Sequence, residues 1–124
     1  MSKELDAHLY ISGDPARARS TLDMMFQQDG FRVQWSPDGW AGTAQKGSLG
    51  ANVMLGAFAQ YHEIWFSFQL LPDGNVHLRL YRQGSGIAGG LWGWSKVKRS
   101  FREVVARTEA TYYNAGVLLG SQGQ

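Results

Sequence analysis

"YHEIWFSFQLLPDGNVHLRLYR", residues 61–82, decides the fold of this chain. Two runs rich in aromatic and branched residues flank Pro72-Asp73-Gly74, where Pro presets φ and Gly accepts a positive φ. Each run alternates with a period of two. Ile64, Phe66, Phe68 and Leu70 share one face of the first run, and Val76, Leu78 and Leu80 share one face of the second. A slip of one residue would turn one of these sets to water. Both sets meet one core only if the loop is odd, so Pro72–Gly74 is the predicted loop. That register sets Trp65 opposite Tyr81, Ser67 opposite Arg79 and Gln69 opposite His77 on the second face.

Outward from this hairpin, "AHLYIS" (7–12) reads as a short strand. Asp14 can then cap a helix and Pro15 suits its first position, where a missing N–H costs nothing. Ala18, Leu22, Met25 and Phe26 follow helical spacing, and Gly30 stops the helix. "FRVQW" (31–35) and "WAGTAQK" (40–46) are strands around Ser36–Gly39, a loop that predicts Trp35 opposite Trp40. Residues 47–60 fit either a short helix or an irregular strand. A second helix is predicted over ~95–115, capped by Ser95, with Val97, Phe101, Val104, Val105, Thr108 and Tyr112 as its apolar stripe. Asn114 and Gly116 end it, and the last ~5 residues are expected to be mobile. The order is β-α-β-β-(short element)-β-β-α. It predicts one α+β domain, 1–124, in which a curved, mostly antiparallel sheet of about five strands carries two helices (~14–29 and ~95–115) on one face.

The composition excludes several classes. The 124 residues include no cysteine, which removes disulfides, thiolate metal sites and a Cys nucleophile together. No leader or bilayer-length apolar run is visible, so a soluble cytoplasmic protein is expected. Net charge is +2, but residues 1–75 hold five basic and eight acidic residues, and 76–124 hold seven basic and two acidic. Such asymmetry suggests an anionic partner for the C-terminal part.

"GSGIAGGLWGWSK" (84–96) contains a literal G-x-G-x-x-G at Gly84, Gly86 and Gly89. A dinucleotide fingerprint also needs a second parallel strand ending in an acid, and none follows the helix. The Walker pattern is absent too. Two readings remain. One is a tight connection pinned by Leu91, Trp92 and Trp94. The other is an anion site at the helix start, built from Gly89, Gly90, Ser95, Lys96, Lys98 and Arg99. There, basic residues in a first turn would oppose the helix dipole unless an anion bound.

His8, His62 and His77 are the only histidines, and none sits at metal-ligand spacing with another, so no metal or cofactor is expected. Trp65, Arg79 and Tyr81, with His77 and Arg32, belong to the outer sheet face. They suggest a homodimer through that face. Single-stranded nucleic acid is a further reading, although the basic-Gly-aromatic string of RNA-recognition domains is missing.

The element order resembles that of helix-grip domains and of the TATA-binding-protein-like fold, which curve an antiparallel sheet around a long C-terminal helix. The resemblance covers the whole chain and rests on no motif, so it carries no site residue. It implies a pocket for an apolar small molecule. The sequence therefore points first to a small non-catalytic binding domain with an anion site at 84–99. The apolar pocket is the alternative, and a small enzyme whose site assembles only in space is the third reading.

Overall fold

The alternation in 61–82 produces the hairpin it predicts. In the computed structural model, which describes residues 5–47, 62–82 and 90–123 and, within 90–96, the backbone alone, β4 (His62–Leu70) pairs antiparallel with β5 (Val76–Arg82). Trp65 lies opposite Tyr81, Ser67 opposite Arg79 and Gln69 opposite His77. Leu71 N–H closes the loop on the Asn75 carbonyl at 2.8 Å, leaving Pro72–Gly74 between them. Ile64, Phe66, Phe68, Val76, Leu78 and Leu80 are all buried.

This hairpin forms the centre of an open six-stranded sheet. The other strands are β1 (Leu5–Ile11), β2 (Arg32–Trp35), β3 (Ala41–Lys46) and β6 (Leu118–Gly123). The strand order is β2-β3-β4-β5-β1-β6, with every neighbour antiparallel. The fold is α+β as expected, with one strand more than expected. The C-terminal residues, read as a mobile tail, form β6 and pair with β1. Their Gly and Ser carry little strand propensity. Pairing with β1 supplies what propensity does not.

Two helices, α1 (Pro15–Gln28) and α2 (Gly90–Asn114), cover one face. Asp14 caps α1 through Ala16 N–H, with Pro15 in the first turn. Both helices end on the same pair of bonds. Gly116 N–H reaches Tyr113 and Val117 N–H reaches Tyr112 at the end of α2; Gly30 and Phe31 do the same to Gln27 and Phe26 at the end of α1. Leu22, Phe26, Phe101 and Tyr112 are fully buried against the sheet. Thr108 is buried on the same stripe, its hydroxyl satisfied by the Val104 carbonyl at 2.7 Å. Tyr112 joins the helices directly by donating to the Ala18 carbonyl at 2.7 Å, and burial pushes its hydroxyl pKa up, keeping it a donor.

Two boundaries differ from expectation. Helix α2 begins at Gly90, not near Ser95. Trp94 continues the Val97–Phe101 spacing one turn upstream, so the periodicity does not stop at a serine. In the β2–β3 turn, Trp35 pairs with Gly42 rather than Trp40. Asp38 accepts the Trp40 N–H at 3.0 Å and holds that residue in the turn. Ser36 and Trp40 N–H, in that order, hold the Asp38 carboxyl below its usual pKa. Of the ambiguous segment 47–60, all but Gly47 lies outside the described residues.

Gly42 sits between Trp35 on β2 and Phe66 on β4. Without a side chain there, the two rings meet edge-to-face across the intervening strand, with centroids 4.9 Å apart. A Cβ at this position would lie 2.8 Å from Phe66 Cζ and strike the Gln34 carbonyl. Gly42→Ala should therefore destabilise the domain by about 1–3 kcal/mol, read as a lower urea midpoint. Tyr112→Phe removes one buried bond with no change of shape, and the same measurement should show a loss of about 0.5–1.5 kcal/mol.

Candidate functional site

Helix α2 carries two stripes. Phe101, Thr108 and Tyr112 are buried, while Lys98, Arg99, Arg102, Glu103 and Ala106 recur at one-turn spacing on an accessible face. These five line an open groove of about 390 Å³. Among the described residues, Lys98, Arg99 and Arg102 make no ion pair. By contrast, Arg107, one turn further along, is tied to Asp29 at the end of α1 by bonds of 3.1 and 3.2 Å.

The adjoining end of the sheet is basic as well. Lys46 pairs in register with His62, and the alternation turns both, with Arg82, to the helix side. Arg82 donates to the Glu63 carbonyl at 2.6 Å. Burial holds the half-buried His62 below its ordinary pKa, Arg82 and Lys46 lower it further, and Glu103 on α2 opposes them. His62 thus links the sheet end to the groove electrostatically.

The residues assigned to the anticipated anion site are only partly among those lining this groove. Lys98 and Arg99 line the groove together with Arg102, which sequence spacing alone did not single out. Gly89 lies outside the described residues, as do the side chains of Ser95 and Lys96. Gly90 is the first residue of α2. Lys98 and Arg99 therefore do not occupy the first turn. At a rise of ~1.5 Å per residue they lie about 12 Å or more along the helix from Gly90. Cationic side chains, not the helix dipole, supply the potential here.

The outer sheet face holds the second set of predicted residues. Trp65, 42% exposed, lies beside Tyr81 with centroids 6.3 Å apart. The Arg79 guanidinium covers Tyr81 at 4.2 Å and grips Asp6 on β1 with bonds of 2.8 and 3.0 Å. His8 Nδ1 and His77 Nε2 approach to 2.7 Å, although 69 residues apart in sequence. Tyr10 stacks on His77 at 5.1 Å. Burial holds His77 below its ordinary pKa, with His8 and Arg79 adding to this and Asp6 opposing. Sequence reading placed Trp65, Arg79, Tyr81 and His77 on this face; it missed Asp6, His8 and Tyr10, which arrive only through the β1–β5 pairing.

A smaller groove of about 260 Å³ is lined by Arg19, Ser20, Asp23, Trp35 and Gly39. Asp23 is already engaged there, accepting from Trp35 Nε1–H at 2.9 Å and Gln27 Nε2 at 2.6 Å. Between sheet and helices, the space that a helix-grip domain would give to an apolar ligand holds Phe26, Phe66, Phe101, Tyr112, Leu22 and Leu78, all at 0–1% exposure. Among the described residues, no group of three or more His, Cys, Asp or Glu is placed to hold a metal ion, and no helix is long and apolar enough to cross a membrane. No family model matches the chain, and no curated protein matches it.

Proposed function

We propose that this is a non-catalytic binding domain that takes an anion in the groove along the first half of α2. The observation that carries this reading is the set Lys98, Arg99 and Arg102, which line one open groove with no ion pair among the described residues. Three cations against one acid, Glu103, on a concave surface leave a net positive field that attracts counter-charge. Lys46 and Arg82, the charges that act on His62 at the sheet end, add to that field. The charge asymmetry of the sequence has the same sense: the basic C-terminal part supplies the groove.

Inorganic sulfate, a dianion across the relevant pH range, is the probe. Titrated at constant ionic strength against chloride, it should shift the amides of 98–103 along a saturable curve. Arg99→Glu with Arg102→Glu should abolish saturation and leave the fold intact, since both side chains are exposed. The saturable response should also weaken as salt is raised, because exposed charges are screened beyond ~10 Å at 0.1 M. A linear response equal in chloride and sulfate would remove this function.

His62 provides an independent readout. Its folded-state pKa lies below the ordinary 6.5, so the unfolded chain takes up the proton first. Stability is therefore unaffected well above pH 6.5 and falls as pH drops below it toward the folded value. A neighbouring anion favours the imidazolium and opposes this loss. Saturating sulfate should raise the His62 pKa in an NMR titration, and the double reversal should cancel that rise.

A further inference from the structure

The outer sheet face lies opposite the helices, and its chemistry is separate from the groove. His8 and His77 have ring planes within 13° of each other and centroids 4.9 Å apart. Rings stacked face to face would keep all their atoms at van der Waals separation, yet Nδ1 of His8 and Nε2 of His77 are 2.7 Å apart. The rings therefore lie side by side, nearly coplanar, with both nitrogens directed at one point. One ring donates a hydrogen there and the other accepts it.

We propose that His8 and His77 form a two-imidazole chelate for a borderline divalent cation such as Zn2+. Imidazole binds a metal through the same in-plane lone pair that makes this hydrogen bond, so the cation replaces the shared proton. Tetrahedral Zn2+ with Zn–N of ~2.0–2.1 Å sets two nitrogens about 3.3–3.4 Å apart. The coplanar rings aim their lone pairs at each other, so the pair has to open by roughly 0.6–0.7 Å and each ring has to turn by roughly 35° to meet that geometry. His8 is 30% exposed, which leaves room for this movement and for water at the remaining coordination positions.

The far side of His8 carries the second supporting observation. Asp6 Oδ1 lies 3.4 Å from His8 Nε2, the nitrogen that the cation would leave untouched. A carboxylate at that place fixes the tautomer and raises the basicity of the ligating nitrogen. Asp6 is itself oriented by Arg79 through two bonds, a pairing that also offsets the guanidinium charge beside the chelate. Tyr10, stacked on His77, restrains the second ring. Two nitrogen donors select against Mg2+ and Ca2+, which prefer oxygen.

The test is a titration of the intact protein with Zn2+ alone, read through the imidazole nitrogen resonances and by calorimetry. His8 Nδ1 and His77 Nε2 should shift together and saturate at one equivalent, with excess Mg2+ causing no displacement. His8→Gln and His77→Gln should each remove the binding. Asp6→Asn should weaken it by about 10–100-fold while leaving the stoichiometry unchanged. Both histidines lie on the solvent side of the sheet, so circular dichroism of the variants should match that of the parent. Shifts confined to one histidine, binding centred on His62, or binding that survives either glutamine variant would overturn the chelate.

Discussion

An odd loop between two alternating strands is the constraint on which the rest of this structure depends. With Pro72–Gly74 as the turn, Phe66 meets Leu80 and Phe68 meets Leu78 on one face, and Trp65 meets Tyr81 on the other. Had the loop been even, one apolar set would have turned to water and the helices would have had no common surface. Because β4 and β5 are the central pair, their parity passes outward in both directions. It sets Ala44 and Gly42 inward on β3, and Leu9 and Ile11 inward on β1.

Both helices then meet a single apolar surface, and each ends where a glycine reverses the chain. The Tyr112 bond to Ala18 ties them to each other across that surface. Helix α2 serves two purposes by periodicity alone. Residues on its buried side fill the core, while the stripe that includes Lys98, Arg99 and Arg102 stays accessible. Its cations contrast with Arg107, whose charge is absorbed by Asp29. The contrast separates a structural arginine from cations that make no ion pair among the described residues.

The two faces of the sheet differ in kind. The inner face is held by apolar burial, the largest favourable term in such a domain. The outer face is held by directional contacts between neighbouring strands: the Arg79–Asp6 pair, the Trp65–Tyr81 contact and the shared-proton histidines. Exposed pairs of this sort add little to stability. Their consequence is geometric, because they hold titratable groups from β1 and β5 in set positions on an accessible surface.

How much of this could be read from the residues alone depends on the range of the interaction. The β4–β5 register, the Asp14–Pro15 start of α1 and the Phe101–Thr108–Tyr112 stripe all follow from local rules, since turn chemistry, capping and periodicity operate within a few residues. Other features needed a distant partner. Strand β6 exists because β1 offers an unpaired edge, which its own Gly- and Ser-containing sequence does not announce. Trp35 pairs with Gly42 because Asp38 keeps Trp40 in the turn and Phe66 waits on the far side of the glycine. His8 and His77 become one cluster only when β1 lies against β5, and Arg102 joins Lys98 and Arg99 in a groove only once α2 lies on the sheet. Sequence determined which residues each element turns inward, because side-chain period is a local property of the backbone. Tertiary structure alone decided which chemical groups became neighbours, because strand order is set by the burial of the whole apolar face and not by any single segment.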